Sequence, residues 1–303
     1  MFKRVYVEIT NVCNLACDFC PGTTREKRFL SPEEFRLIAE RLRGHTRYLY
    51  FHVMGEPLLH PQLSQLLAIA HQLGFRVCIT TNGTLLPRQA ETLLSAPALH
   101  KVSVSLHSFE GNGGGDMAEY LRGVWDFCTR AGQQGVLCAL RLWNEGGADA
   151  RNGEILRFLS TAGGQDVENL PADSVGNKRL SPVLFLESAR KFDWPSPDAA
   201  EGGVQFCHAL RQQLAVLCDG TAVPCCLDGE GRMALGNLLT QELPDILNTP
   251  RAQASGRASP AARPVRIYAA AAATRRGSVN ERTCHAGNAP TTESPAAAPA
   301  GVV

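Results

Sequence analysis

Over the first half of the chain, strand-like and helix-like runs alternate, and this alternation is the strongest constraint on the fold. Strands are expected over residues 4–10, 47–53, 75–80, 101–106 and 136–142. Their apolar content suits a parallel sheet covered by helices. Ser31, Pro32, Glu33 and Glu34 form a capping box with proline at the first helical position, opening a helix toward Leu42. Further helices are expected over 61–73, ending at Gly74, and over 87–94, 117–132 and 153–160. Repeated βα units point to an α/β barrel or open sheet, with ligand groups at the C-terminal ends of the strands. Residues 162–178 read as a polar connection, and 181–194 as a last strand and helix.

The end of the first strand carries the run Asn11-Val12-Cys13-Asn14-Leu15-Ala16-Cys17-Asp18-Phe19-Cys20-Pro21. The spacing is C-x3-C-x2-C. Three such thiolates can hold three irons of a 4Fe-4S cubane cluster. With no fourth cysteine nearby, one iron stays open for a substrate or cofactor, as in catalytic metal sites. Electron carriers usually close all four positions with cysteine.

This arrangement, with aromatic Phe19 before the third cysteine, resembles the radical S-adenosylmethionine (radical SAM) enzymes. The resemblance implies a partial (β/α)6 barrel over residues 1–195. It implies a cluster on Cys13, Cys17 and Cys20 whose open iron binds S-adenosylmethionine. Reductive cleavage would then give a 5′-deoxyadenosyl radical that abstracts hydrogen from a substrate. The run Met54-Gly55-Glu56-Pro57 follows the second strand. It resembles the family's GGEP motif with Met54 replacing the first glycine, and so implies that Gly55, Glu56 and Pro57 contact the amino group of S-adenosylmethionine. An ordinary strand-to-helix turn is the other reading.

Further candidates lie at later strand ends. Asn82 sits in an Asn-Gly turn, as a ligand or as a turn residue. Ser105 matches the family's polar position against the ribose or carboxylate. Arg141 and Asn144, after the fifth strand, match positions that bind the carboxylate or ribose hydroxyls, the other reading being an ion pair on the barrel rim. Asp18 and Phe19 are expected at the adenine. His107 is a candidate acid or base, with Asp116 and Asp228 behind it.

A second cysteine group begins at Cys207, and Cys218-Asp219-Gly220 continues to Cys225 and Cys226. Asp-Gly between apolar runs is a hairpin signal. The C-x9–15-G-x4-C pattern resembles the start of a SPASM-type auxiliary-cluster domain, over residues 200–250. Cys207 and Cys225 would hold a second 4Fe-4S cluster, and Cys218 and Cys226 read as buried thiols. The closing C-x2-C of such domains is missing, and residues 251–303 turn abruptly rich in Ala, Arg, Pro, Ser and Gly. Two readings stand open. One is a natural disordered tail, whose composition cannot bury enough apolar surface to fold. The other is a frameshift, because residues 267–276 can be written in synonymous codons chosen so that another frame encodes a C-x2-C. Sequencing the gene over codons 249–285 separates them: an intact alternative frame ending in C-x2-C is expected if the tail is aberrant.

A net charge of +1 gives no field for nucleic acid or an anionic surface. No apolar run spans a membrane and no signal region opens the chain. Eleven cysteines without such a signal favour metal ligation in a reducing cytoplasm. The resemblance adds an electron donor such as flavodoxin or ferredoxin and a peptide or protein substrate. A small molecule, as in cofactor biosynthesis, is the alternative substrate. A non-enzymatic iron–sulfur electron-transfer protein is the rival class.

Overall fold

The computed structural model of the protein describes residues 1–110, 112, 115–147, 149–191, 194 and 208–257. Cys207, Cys284 and the tail from residue 258 lie outside the described residues.

Six parallel strands follow one another across the sheet in chain order: β1 (Arg4–Val7), β2 (Tyr48–Phe51), β3 (Arg76–Thr81), β4 (Leu99–Ser105), β5 (Leu137–Glu145) and β7 (Leu184–Arg190). The connections carry α1 (Pro32–Leu42), α2 (Leu63–Gln72), α3 (Leu86–Leu94), α4 (His107–Glu110), α5 (Met117–Gln133) and α6 (Asn152–Gly163). A short strand, β6 (Lys178–Arg179), pairs antiparallel with β7 at one edge. This is the expected (β/α)6 architecture. The expected strand in 181–194 is β7, and the helix expected after it falls on residues largely outside the described ones.

The Asp219-Gly220 hairpin also forms, between β8 (Gln213–Val216) and β9 (Thr221–Val223). It does not stand apart from the barrel. β8 pairs in parallel with β1 along its whole length, from Arg4↔Gln213 to Val7↔Val216. β10 (Gly236–Asn237) adds to β9, giving one sheet in the order β10-β9-β8-β1-β2-β3-β4-β5-β7-β6. The helices α7 (Leu243–Leu247) and α8 (Pro250–Arg257) complete the described C-terminal part.

Alternation along the strands divides their side chains between two faces. Val5, Val7, Leu49, Phe51, Val77, Ile79, Val102, Val104, Leu140 and Leu142 join Phe35, Ile38, Leu66 and Phe127 of the helices in the main core. Their alternates face inward. Tyr6, Tyr50 and Cys78 pack with Ala215, Leu217 and Val223 in a second, smaller apolar cluster. No helix among the described residues is long and apolar enough to cross a membrane.

Strand β1 ends at Val7, short of the expected Thr10, because the chain leaves the sheet there. Leu30 N–H donates to Ile9 O at 2.8 Å, and Thr10 bridges Phe29 instead. The capping box of α1 forms as expected: Ser31 Oγ accepts from Glu34 N–H at 3.1 Å, and Glu34 Oε2 accepts from Ser31 N–H at 2.9 Å. Replacing Ser31 by Ala removes one half of this reciprocal pair. The expected cost is about 1 kcal/mol, read as a lower urea midpoint with an unchanged slope.

Candidate functional site

The cysteines ride on a loop whose stem is closed by side chains. Asn11, fully buried, donates from Nδ2 to Glu26 O at 2.8 Å and accepts at Oδ1 from Arg28 N–H at 2.9 Å. Thr10 Oγ1 donates to Arg28 O at 2.9 Å. Within the loop Cys20 N–H donates to Cys17 O at 3.0 Å, so the last two cysteines lie across one turn. Cys13 and Cys20 are exposed and Cys17 half-buried; no cysteine among the described residues is in a disulfide.

Three neighbouring strand ends grip this loop. After β2, Glu56 N–H donates to Val12 O at 2.8 Å, beside Cys13. Gly55 has φ +76°, and a Cβ there would stand 2.5 Å from Thr10 O, so the motif's glycine is needed for this close approach. Pro57 is the buried first residue of a 3-10 turn that Glu56 caps. After β3, Asn82 Nδ2 donates to Asn14 Oδ1 at 3.0 Å. After β4, Asn112 accepts from Ala16 N–H at 2.8 Å and donates from Nδ2 to Cys17 Sγ at 3.1 Å.

The donor set fits an iron–sulfur cluster. Soft thiolates are its ligands, and N–H donors to sulfur tune it. Burial pushes the Cys13 and Cys17 thiols up, while the Leu15 backbone bonded to Cys13 and Asn112 bonded to Cys17 oppose the shift. Among the described residues no three His, Cys, Asp or Glu side chains converge as ligands of a single ion would. A cluster taking one iron per thiolate does not require that convergence.

Glu56 is buried and already engaged. Its Oε1 accepts from Leu58 N–H at 3.0 Å and Thr81 Oγ1–H at 2.7 Å, and its Oε2 from Asn82 N–H at 2.8 Å. Burial raises its pKa to about 6, against the three hydrogen bonds. It thus ties the loop after β2 to the end of β3. Asn82, besides its bond to Asn14, accepts from Thr84 at both N–H and Oγ1, and its carbonyl accepts from Tyr120 Oη–H at 2.8 Å.

His107 packs its ring on Phe19, centroids 4.9 Å apart, and its Nδ1 lies 3.1 Å from Arg141 O. Burial lowers its pKa to about 4, so the ring is neutral near pH 7. Ser105 is half-buried at the end of β4, paired in register with Arg141. Arg141 donates from Nε to Glu187 Oε2 at 3.1 Å, and Lys101 of the neighbouring strand β4 holds the other oxygen. The ion-pair reading of Arg141 is therefore the one its contacts express. Asn144 is buried and exchanges two amide hydrogen bonds with Asn152, at 3.0 and 3.1 Å. Asp116 caps α5, and buried Asp228 accepts from Arg232 and Met233 N–H.

Of the later cysteines, Cys218 and Cys225 are buried and Cys226 is half-buried. Burial, then the Glu8 carboxylate, pushes the Cys218 thiol up to about 12. That is the inert buried thiol expected of it. The residues missed in the sequence are the ones holding this region. Glu8, with no exposed surface, accepts two bonds from Arg25 Nη2 at 2.7 and 2.8 Å. It also accepts from Met54 N–H at 3.1 Å and Cys218 N–H at 3.0 Å. Arg25 Nε donates to Gly229 O at 2.7 Å, and Thr24 bonds Glu230. Met54, which departs from the family motif, packs its side chain where Gly229 leaves room: a Cβ there would meet Met54 Cγ at 2.9 Å. The only sequence signals were a polar residue inside an apolar strand and, for Asn112, a glycine-rich turn.

The radical SAM superfamily model matches residues 7–132, and the SPASM iron–sulfur cluster-binding domain model matches residues 207–284. The barrel thus carries a radical SAM superfamily domain over residues 7–132, and a SPASM match lies C-terminal to it. A GTP 3′,8-cyclase of Chlorobaculum tepidum is 38% identical over 111 residues, which is 35% of this chain and 33% of that protein. The chain spans about a third of the length of that relative. Two solved structures share the fold. BtrN, in complex with AdoMet and 2-DOIA, gives a TM-score of 0.56 at 20% identity, covering 86% of this chain and 88% of that one. Streptococcus suis SuiB bound to S-adenosylmethionine gives 0.60 at 15% identity, covering 84% and 68%.

Removing one partner of a buried ion pair leaves the other charge uncompensated. Arg25→Ala is therefore expected to cost about 3–5 kcal/mol in denaturant unfolding. Glu8→Gln combined with Arg25→Met should recover part of that loss. Equal loss in the single and double variants would show that the pair is not the source.

Proposed function

We propose that the chain is a radical SAM enzyme in which Cys13, Cys17 and Cys20 hold a 4Fe-4S cluster with one iron open to S-adenosylmethionine. When bound, the two together supply reductive cleavage to a 5′-deoxyadenosyl radical that abstracts hydrogen from a substrate. The observation that carries this reading is the closed cysteine loop. It lies at the C-terminal ends of six parallel strands and is gripped from the ends of β2, β3 and β4.

The chain's own residues do the placing. Gly55 allows the backbone after β2 to lie on Thr10 and Asn11. Glu56 and Asn82 lock the next two strand ends to each other and to Asn14. In this reading Gly55, Glu56, Pro57 and Asn82 line the amino-acid end of S-adenosylmethionine, and Phe19, Ser105 and Asn144 the nucleoside end. Arg141 is paired with Glu187 and is assigned to no atom of the cofactor in this reading. His107 serves as a positioning residue, its neutral ring setting Phe19 against the end of β4.

The barrel takes residues 1–195 and the auxiliary segment 200–250, with Cys207 and Cys225 as ligands of a second cluster. A reducing cytoplasm suits the thiols, and an external donor such as flavodoxin or ferredoxin supplies the electron. A peptide substrate is the first expectation: SuiB has been solved with the precursor peptide SuiA and anSMEcpe with the Kp18Cys peptide, both sharing this fold. A small molecule is the alternative.

The test is anaerobic reconstitution with iron and sulfide, reduction, addition of S-adenosylmethionine and measurement of 5′-deoxyadenosine. Formation is expected in the wild type and should fall to background in Cys17→Ala. A reduced protein that holds a cluster and forms none would turn the reading toward the electron carrier.

A further inference from the structure

On the inner face of the barrel two buried cations share one carboxylate among the described residues. Lys101 on β4 and Arg141 on β5 both pair with Glu187 on β7, each at 3.1 Å. Their side chains are 5% and 15% exposed, and that of Glu187 is 6% exposed. One carboxylate thus serves two cations. An ammonium has three donors and a guanidinium five. Among the described residues, Lys101 spends its donors only on Glu187. Arg141 spends its own on Glu187 and, at 3.4 Å, on Thr80 Oγ1. A strut between strands needs one cation, and a second half-satisfied one in the interior is costly unless an anion joins it.

Two further observations give the place a direction. The guanidinium carbon of Arg141 lies 4.4 Å from the centre of the Trp143 ring, which holds the planar fork in one orientation. Arg141 pairs with Ser105, the last residue of β4, so the fork sits at the strand ends that carry the cysteine loop. The positive field extends further along the same face. Burial, then the charges of Arg141 and Arg4, push the His52 ring down to about 3, and its buried Nδ1 has no hydrogen-bond partner among the described residues.

We infer that Lys101 and Arg141, bridged by Glu187, form an oxyanion subsite that takes a carboxylate or phosphate group of the substrate. Glu187 spaces the two cations and lowers their mutual repulsion until the anion arrives. This rests on the reading of the barrel as the active site, and it narrows the substrate to an anionic one.

Isothermal titration of the reconstituted full chain at fixed ionic strength tests it, with inorganic pyrophosphate and succinate as probes, with and without S-adenosylmethionine. Saturable binding is expected, and the tighter probe names the group as phosphate or carboxylate. Lys101→Met and Arg141→Gln should each weaken it about tenfold, the loss of one charged hydrogen bond. Glu187→Gln, which removes the competing carboxylate, should tighten it; circular dichroism checks that each variant folds. If the first two variants do not fold, unchanged or weaker binding in Glu187→Gln overturns the subsite. So does the absence of saturable binding, or equal binding in all variants. Competition with S-adenosylmethionine also overturns it, because the recognised anion would then be the cofactor's own carboxylate. Intact probe binding without deoxyadenosine formation would fault the radical reading alone, and the converse the subsite alone.

Discussion

The Glu8 carboxylate is the interaction on which the region around the cysteines depends. It sits at the end of β1 with no exposed surface and accepts from three separate segments. Arg25 belongs to the far arm of the cysteine loop, Met54 to the turn after β2, and Cys218 to the C-terminal hairpin. A buried pair of this kind contributes little net stability compared with apolar residues of the same shape. What it does is forbid alternatives, since each donor left without the carboxylate would be buried and unsatisfied. The cysteine loop, the Met54–Pro57 turn and the hairpin therefore take their places together or not at all.

This changes what the C-terminal segment is. An auxiliary domain attached by a linker would have its own sheet and core. Here β8 extends the barrel sheet at β1, and Ala215, Leu217 and Val223 fill the inner cluster beside Tyr6 and Tyr50. Met54 packs on Gly229, and Thr24 bonds Glu230. The segment is a wall of the barrel as well as the carrier of later cysteines. The replacement of a motif glycine by methionine makes sense in that setting: the side chain fills space that only a glycine opposite leaves open.

The local grammar of the chain was legible. The capping box, the strand order and the Asp-Gly hairpin each follow from neighbours in sequence, and each formed. The cysteine loop was legible because its chemistry is compressed into eight residues. Glu8 and Arg25 were not, because their meaning comes from partners as distant as Cys218, and in sequence Glu8 is one polar residue in an apolar strand. Glu56 was visible as a motif carboxylate, yet its three donors belong to the turn it caps and to the end of β3, which only the fold brings together. Arg141 left two readings open for the same reason, since Glu187 lies 46 residues away.

The two faces of the sheet explain how charge comes to lie inside. On the helix side the alternate strand residues are mostly Val, Leu, Ile or Phe, packed to exclude water. The inner side has no helix to cover it, so its residues must fill the barrel themselves or meet a ligand. Near β1 and β2 they fill it, with tyrosines and the hairpin's apolar side chains. Near β4, β5 and β7 they do not: Lys101, Ser103, Arg141 and Glu187 take the positions that layers of branched apolar residues occupy in a packed barrel. Polar side chains are tolerated there only if their bonds are met, and among the described residues the donors of Lys101 and Arg141 are met in part. The interior is thus divided between a half that is complete as folded and a half whose electrostatics close only around a bound anion.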